Sequence, residues 1–293
     1  MADHNPPAVP ELPEVETTVR LLRPRLVGRR IEDARVQWTR ARGGTSVPEF
    51  RRSVAGARIA GLERRAKLVV ARLSRGRRAA GAVLVHLRMT GRLVHQPKTE
   101  PVPEWTRVSL ALDRGVLHFL DVRKFGRMTY HEDPAAVLER FGPEPLDESL
   151  TAATFARALE GRRRILKPLL LDQEFLAGIG NIYADEALFR SRLHPLRRSD
   201  RVGRRGAERL LGAIRATLCE AIEREGSSFD AFYRTPEGQP GRYQESFRVY
   251  GREGRPCRRC GARIRKLVVA QRGTHVCPRC QRRPRTTGPR RPW

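Results

Sequence analysis

The stretch PELPEVETTVRLLRPRLVG, residues 10–28, begins with a proline-rich segment and continues as an amphipathic helix. Its apolar residues recur at helical spacing and so share one face: Val15, Val19, Leu22 and Leu26. Pro13 occupies a position that is favoured in a first helical turn, where acidic neighbours also face the positive end of the helix dipole. The pattern predicts a helix over residues 12–28, with Pro10 and Glu11 just ahead of its N-terminus.

Four short apolar runs follow this helix, separated by glycine, proline and charged residues. They are residues 67–73, 82–89, 108–112 and 116–120. Runs of this length and spacing are typical of antiparallel strands. The first half of the chain is therefore predicted to be an antiparallel β-sandwich with flanking helices.

The period of the apolar residues changes after the proline-rich segment FGPEPL, residues 141–146. Between residues 207 and 224 the apolar side chains fall on one helical face: Leu210, Leu211, Ile214, Leu218 and Ile222. Ahead of them, GIGNIYADEALF (residues 178–189) predicts a tight glycine turn that leads into a helix and can bind a phosphate. The second half is therefore predicted to be helical.

The predicted fold class is α+β with several domains. We assign the chain to a leader (1–9), a β-sandwich domain (10–132), a hinge (133–150), a helical domain that includes a polar mobile loop near 226–244 (151–246), a zinc finger (247–283) and a basic tail (284–293).

The charge indicates a polyanionic partner. The 59 Lys and Arg residues outnumber 32 Asp and Glu residues, which gives a formal net charge of +27. Self-repulsion on this scale favours a nucleic-acid partner. Nearly all of these cations are arginine, which a GC-rich genome also produces, and ribosomal or histone-like proteins carry similar charge, so charge alone does not decide the function.

No apolar run reaches the roughly 18 residues that a membrane span needs, and the opening residues do not resemble a signal peptide. We therefore expect a soluble protein that stays inside the cell and has no membrane partner.

Four cysteines form two C-x2-C pairs: Cys257, Cys260, Cys277 and Cys280. This spacing lets two thiolate pairs close around one tetrahedral zinc ion, and a redox dithiol pair is the weaker alternative. Because all four positions are cysteine, no ligand position is left for water, and the predicted zinc is structural. Cys219 is interpreted as a small buried apolar side chain.

Between the two cysteine pairs, KLVVAQRGTHV (residues 266–276) predicts a β-hairpin with Arg272 and Gly273 at its tip. Two strand histidines, His86 and His118, are interpreted as structural, because no serine or cysteine triad pattern surrounds them.

Seven sequence strings occur in order along the chain. They are PELPEVET (10–17), HLRMTG (86–91), DVRKFG (121–126), GPEPL (142–146), GIGNIYADEALF (178–189), RVYGREGRPCRRCG (248–261) and VAQRGTHVCPRCQ (269–281). Together and in this order, they resemble the formamidopyrimidine-DNA glycosylase family. The resemblance implies a helix-two-turns-helix domain and a bifunctional glycosylase and abasic-site lyase. Its partner would be double-stranded DNA with oxidised purines, such as 8-oxoguanine and formamidopyrimidines, or abasic sites. A monomer at the bacterial nucleoid is expected.

The resemblance also implies catalytic residues. Pro10 would attack the damaged sugar through its secondary amine and form a Schiff base, and Glu11 would protonate the ring oxygen as the sugar opens. Lys67 would donate a proton during β-elimination. Arg272 would bind the flanking phosphate and assist δ-elimination.

Three residues are implied to fill the space that a flipped-out nucleotide leaves: Met89, Arg123 and Phe125. Arginine can hydrogen-bond the orphaned cytosine, whereas Met and Phe can wedge between stacked bases. From periodicity alone, ordinary core packing is the favoured alternative for Met89 and Phe125.

Three further residues match phosphate-binding or lesion-side positions: Arg162, Lys167 and Asn181. Arg162 replaces a residue that is often lysine, and the charge is kept. Trp105 stands where the family commonly has a DNA-contacting histidine, so the chain departs from the family pattern at this position.

The residues MADHNPPAV precede Pro10, and an internal proline nitrogen is an amide without a usable lone pair. Translation from the Val9 codon, removal of the leader, or loss of catalysis would each resolve the conflict. We favour the start at Val9, because residues 1–8 carry no motif.

Two other functions remain open from the sequence. One is an endonuclease-VIII-like enzyme for oxidised pyrimidines. The other is a catalytically silent protein that binds damaged DNA through its charge and zinc hairpin.

Overall fold

The computed structural model describes residues 9–42, 45–228 and 233–284. The chain divides into two compact units. The first comprises Met1–Gly142 with Glu220–Glu245, and the second comprises Pro143–Cys219 with Ser246–Trp293. The predicted leader, apart from Val9, and the basic tail, apart from residue 284, lie outside the described residues.

Among the described residues, the first unit contains helices α1 (Leu12–Leu26), α2 (Val47–Val54) and α3 (Ala135–Leu138) and eight strands. The strands are β1 (Ile31–Val36), β2 (Arg58–Arg65), β3 (Leu68–Arg75), β4 (Arg78–His86), β5 (Gly91–Gln96), β6 (Thr106–Leu112), β7 (Val116–Asp121) and β8 (Arg127–His131). The second unit contains α4 (Ala152–Glu160), α5 (Leu166–Leu171), α6 (Asn181–Arg190), most of α7 (Arg204–Glu223), β9 (Arg265–Val269) and β10 (Arg272–Val276).

The eight strands of the first unit form two four-stranded antiparallel sheets, ordered β1-β6-β7-β5 and β2-β3-β4-β8. Successive side chains of a strand point to opposite faces of its sheet, and on one face of β3 Val69, Ala71 and Leu73 join the main core. Leu68 and Val70 point the other way and pack with Leu138 of α3. The predicted sandwich is confirmed, and β1, β2, β5 and β8 are strands that the apolar runs did not reveal.

Helix α1 follows the predicted pattern. Its four predicted core residues, Val15, Val19, Leu22 and Leu26, are 0% exposed and belong to the main core. The helix ends ahead of Gly28, whose φ of +87° lies in the left-handed region that favours glycine. The sequence therefore determines this helix locally.

Helix α7 also buries its predicted face: Leu210, Leu211, Ile214, Leu218 and Ile222 are each 7% exposed or less. The interpretation of Cys219 was wrong, because its side chain is exposed. It follows Leu218 directly and therefore lies about 100° further round the helix, away from the buried face.

The segment 220–245 groups with the first unit, although the sequence assigned residues 151–246 to one helical domain. The Ser227 amide donates to the Glu14 carboxylate over 2.8 Å, and the Tyr233 hydroxyl donates to the Glu14 carbonyl over 3.3 Å. A bridge between Ser227 and Arg242 closes the base of the predicted loop, of which residues 229–232 lie outside the described part.

The boundary between the units falls at Gly142 and Pro143, within the predicted hinge. In the first unit, Arg65 Nη2 donates to the carbonyls of Phe141 and Gly142. Within the described residues, no helix is long and apolar enough to cross a membrane.

Candidate functional site

Pro10 and Glu11 stand at the start of α1, as predicted. Pro10 is buried, and Glu11, 3% exposed, is the N-cap residue of the helix. The Glu11 amide donates to Glu14 Oε2 over 2.8 Å, which is the return bond of a capping box. This bond fixes the backbone directly after Pro10.

Glu14 also holds the base of the loop segment. Its Oε2 accepts the Glu11 amide, and its Oε1 accepts the Ser227 amide over 2.8 Å. Gly226 lies against the same carboxylate with φ of +80°, and an added Cβ would approach Oε1 to 2.8 Å. The sequence indicated only a favourable helix-end charge for Glu14, because its second partner lies 213 residues away.

Lys67 occupies the turn between β2 and β3. Arg65 and Leu68 form the pair that closes the turn, and Ala66 has φ of +53°. The Arg64 guanidinium donates to the Ala66 carbonyl over 3.1 Å and forms a 3.0 Å ion pair with Glu16 of α1. The turn that carries Lys67 is therefore fastened to the helix that follows Pro10.

Burial alone would raise the pKa of Glu16, but hydrogen bonds and charges from Arg20 and Arg64 outweigh it and leave the pKa below its ordinary value. Glu16 is consequently ionised at neutral pH and keeps its bond to Arg64.

His86 and His118 have structural settings, in agreement with their interpretation. Burial, together with the charges of Arg88 and Lys67, lowers the pKa of His86 to about 3. Its Nδ1 accepts the Arg88 amide over 3.0 Å, so the neutral ring carries its proton on Nε2. His118, 2% exposed, pairs with Ser109 over 2.9 Å.

Two connections run between the sheets at one edge of the sandwich: residues 87–90 join β4 to β5, and residues 122–126 join β7 to β8. Met89 is half-buried on the first, whereas Arg123 and Phe125 are exposed on the second. Phe125 is 49% exposed, and the Arg123 guanidinium lies 5.1 Å from the centre of its ring. This exposure contradicts the core-packing alternative for Phe125.

Asp121, 1% exposed, ties the two connections together. Its Oδ1 accepts the Thr90 hydroxyl, and its Oδ2 accepts the Gly126 amide over 2.6 Å. The Arg123 amide donates in turn to the Thr90 hydroxyl over 3.1 Å. Asp121 therefore fixes both segments that carry the three predicted space-filling residues.

Trp105 adjoins this network, because its carbonyl accepts the Asp121 amide over 3.0 Å. It is 47% exposed, adopts a left-handed φ of +63°, and has the Arg107 guanidinium 5.8 Å from its ring.

In the second unit, Arg162 is exposed, and Asn181 is the first residue of α6, after the N-cap Gly180. Gly178 has φ of +85°, as the predicted tight turn requires. The Gln173 side chain accepts the Gly178 amide over 2.9 Å and donates to the Ile179 carbonyl over 2.8 Å. This side chain shapes the turn that leads into α6.

The predicted phosphate contact of Lys167 is corrected by the structure. Lys167 is 0% exposed, and its ammonium lies 2.6 Å from Asp185 Oδ1, 2.7 Å from Thr274 Oγ1 and 3.1 Å from the Gly273 carbonyl oxygen. These three protein partners equal the number of hydrogens on an ammonium group. The Lys167 side chain therefore binds protein groups in the interior of the second unit.

The predicted hairpin forms from β9 and β10, but its tip is Ala270 and Gln271, which have φ of +47° and +61°. Arg272 and Gly273 instead begin β10, because Arg272 already pairs with Val269. The Arg272 side chain is exposed, and within the described residues no hydrogen bond or ion pair holds its guanidinium.

The four cysteines of the two C-x2-C pairs form a site for one zinc ion. Their sulfur atoms all lie within 4.8 Å of one another, with 3.4 Å between Cys260 and Cys277 and 4.0 Å between Cys257 and Cys280. Tetrahedral zinc with bonds of about 2.3 Å places its sulfur ligands about 3.8 Å apart. The geometry fits a closed structural site.

Three family profiles match the chain in order. They describe the formamidopyrimidine-DNA glycosylase N-terminal domain (residues 9–128), the formamidopyrimidine-DNA glycosylase H2TH domain (residues 141–232) and the zinc finger found in FPG and IleRS (residues 254–283). The chain belongs to the formamidopyrimidine-DNA glycosylase family.

Relatives of this family match nearly the whole chain. Formamidopyrimidine-DNA glycosylase of Heliobacterium modesticaldum is 43% identical and covers 94% of this chain and 100% of its own length. The enzyme of Thermus thermophilus is 44% identical and covers 93% and 98%. The crystal structure of MutM (FPG) from T. thermophilus matches with a TM-score of 0.82 at 43% identity, covering 93% of this chain and 98% of that one.

Two solved complexes of Lactococcus lactis Fpg also match, one with DNA that contains an abasic site and one with DNA that contains Fapy-dG. Each has a TM-score of 0.83 at 33% identity and covers 93% of this chain and 100% of that chain.

The site residues implied by this family fall in both units. The first unit places Pro10 and Glu11 just ahead of α1 and Lys67 on the turn fastened to this helix. It also carries Met89, Arg123 and Phe125 on the two connections. The second unit carries Arg162, Asn181, Arg272 and the four cysteines. The sequence alone did not reveal the roles of Arg64, Asp121 and Asp185, because each has a partner that is distant in the chain: Glu16 for Arg64, Thr90 for Asp121 and His275 for Asp185.

Proposed function

We propose that this glycosylase excises oxidised purines from double-stranded DNA and then nicks the strand at the abasic sugar. The observation that carries the proposal is the fixed Pro10–Glu11 pair at the N-terminus of α1, at the point where the family match begins. The relatives named formamidopyrimidine-DNA glycosylase support purine substrates over oxidised pyrimidines.

The chemistry requires Pro10 as the first residue, because only a free secondary amine has the lone pair that attacks the sugar carbon. The carbon–nitrogen bond to the base breaks with its electron pair, and the sugar becomes a Schiff base on Pro10. Glu11 protonates the ring oxygen as the ring opens. We therefore propose that the active protein starts at Pro10, either from initiation at Val9 or after removal of residues 1–9.

Two eliminations then cleave the strand. The β-elimination removes a proton from C2′ and breaks the C3′–O bond, and the δ-elimination removes a proton from C4′ and breaks the C5′–O bond. Each expels a phosphate monoester and needs no oxidant. Lys67 supplies a proton during the first, and Arg272 binds the flanking phosphate during the second.

Met89, Arg123 and Phe125 fill the gap left by the extruded nucleotide. Extrusion costs a few kcal/mol, in part offset by contacts that occupy the vacated stack. The solved complexes of L. lactis Fpg with damaged DNA support DNA as the partner. We propose that the DNA is a duplex and that Arg162 and Asn181 contact its phosphates. We further propose a monomer that acts in the bacterial cytoplasm, at the nucleoid.

The decisive experiment compares protein that begins at Pro10 with protein locked to start at Met1, each verified by mass. Borohydride trapping on an 8-oxoguanine:cytosine duplex should capture the Pro10 form, and Pro10→Gly should weaken trapping. The Met1 form should bind the same duplex and yield little covalent complex. Equal trapping by both forms would identify another amine as the nucleophile, and absence of trapping in every form would favour a silent damage-binding protein.

A further inference from the structure

Strand β10 has one edge that no other strand pairs within the described residues, because its sheet contains only β9 and β10. Arg272 and Val269 close the two-residue turn. Beyond it, residue pairs whose backbone groups bond across the two strands alternate with pairs whose backbone groups point away from the partner strand. The carbonyl of Gly273 and the amide of His275 therefore point away from β9. Both groups need partners from elsewhere in the unit.

Side chains of α5 and α6 supply these partners. The Gly273 carbonyl accepts Asn181 Nδ2 over 3.0 Å and Lys167 Nζ over 3.1 Å. The His275 amide donates to Asp185 Oδ2 over 2.8 Å. Asn181 and Asp185 are four residues apart on α6 and so project from the same helical face. Helix α6 thus takes the place of a third strand along β10.

Asp185 is the centre of this arrangement. One of its oxygens receives the His275 amide, and the other lies 2.6 Å from the Lys167 ammonium. Lys167 and Asp185 are 0% and 1% exposed, so water screens this pair little. Through Lys167, the same carboxylate orients the donor that reaches the Gly273 carbonyl. Asp185 therefore holds the His275 amide directly and, through Lys167, orients one of the two donors to the Gly273 carbonyl, so that it ties β10 to the helices on both sides of Thr274.

We propose that Asp185 is a positioning residue for Arg272 in the second elimination. Arg272 immediately precedes the held Gly273 carbonyl, while its own guanidinium is exposed and has no hydrogen-bond or ion-pair partner among the described residues. Its position is thus set through the backbone of β10. The inference rests on the proposed function, because it assigns Asp185 to the step that Arg272 assists.

A positioning role and a purely structural role predict different products. If Asp185 only stabilised the fold, its replacement would lower the observed rate of every step by the same factor, which is set by the fraction of protein that remains folded. If it positions Arg272, attack by Pro10 persists, because Pro10 belongs to the first unit, and only the δ-elimination slows. The ratio of δ to β products separates the two roles.

The test uses full-length protein that begins at Pro10 and a duplex with a preformed abasic site. Strand ends are resolved on denaturing gels, with borohydride trapping and zinc content measured on the same samples. Asp185→Asn should trap as wild type does, while its δ to β ratio falls about tenfold toward that of Arg272→Ala, since small misplacements of a positioned group cost up to a hundredfold in rate. Asp200→Asn is the matched control, because Asp200 pairs with Arg198 elsewhere in this unit.

Asp185→Asn leaves the Lys167 charge buried without its counter-ion and can destabilise the unit. The double variant Asp185→Asn/Lys167→Met removes both charges, and we expect it to fold, retain zinc and show the same low ratio. A wild-type ratio in the folded double variant would overturn the inference. Failure of wild-type protein to trap or nick would instead refute the proposed function.

Discussion

Removing the charge of Asp121 should loosen the two connections that carry Met89, Arg123 and Phe125. Two donors converge on this buried carboxylate, the Thr90 hydroxyl and the Gly126 amide. The asparagine in Asp121→Asn keeps one acceptor oxygen. Its NH2 group, which donates hydrogen bonds and does not accept them, would face one of the two donors. Hydrogen bonds to charged acceptors and unpaired buried donors together imply a loss of about 2 to 4 kcal/mol in the free energy of unfolding.

Urea unfolding followed by tryptophan fluorescence measures this loss, because Trp38 and Trp105 both lie in the first unit. Asp113→Asn is the control, since Asp113 is an exposed carboxylate that accepts only its neighbour's amide among the described residues. We expect the control to unfold as wild type does.

The same variant should lose discrimination of the opposite base. Displacing Arg123 should weaken its proposed hydrogen bond to the orphaned cytosine, and a contact of this kind contributes about 1 to 3 kcal/mol to discrimination between bases. The preference for excising 8-oxoguanine opposite cytosine rather than adenine should fall about tenfold. An Asp121→Asn protein with wild-type stability and wild-type preference would refute the role assigned to this carboxylate.

Three further outcomes are expected. Cys260→Ser should lose both zinc and DNA binding, whereas the control Cys219→Ser should keep both. Full metal retention in Cys260→Ser, measured by mass spectrometry, would contradict the assignment of Cys260 as a zinc ligand. Affinity for undamaged duplex should fall about a thousandfold between about 50 and 200 mM salt if ~6 phosphates are contacted, and a flat response in fluorescence anisotropy would point to an apolar partner. Because the folded-state pKa of Glu16 is lowered, its stabilising effect is present at neutral pH and is lost as pH falls below 4.5, through the folded-state pKa. The stability of wild-type protein and Glu16→Gln should therefore converge in acid, and a constant difference across that range would contradict the ion pair with Arg64.

The sequence predicted the parts of the site that depend on short stretches of chain. The helix after Pro10 follows from apolar spacing within fifteen residues, and the zinc site follows from the two C-x2-C pairs. The prediction for Lys167 was wrong, because a lysine is ordinarily exposed, and its buried partners Asp185 and Thr274 lie far from it in the sequence. The interpretation of Cys219 as buried was wrong because this residue lies next to the buried face of α7 rather than on it, so its side chain is exposed.

The sequence by itself determined helices α1 and α7, the sandwich class, the zinc ligands and the family, because periodicity and ligand spacing are recorded locally along the chain. Only the tertiary structure decided which polar groups act together. Thr90 and Asp121 are 31 residues apart, and Lys167 and Thr274 are 107 apart. Such pairs form because burial removes water and makes each polar group depend on a partner that folding brings close, and no local pattern specifies which partner that is.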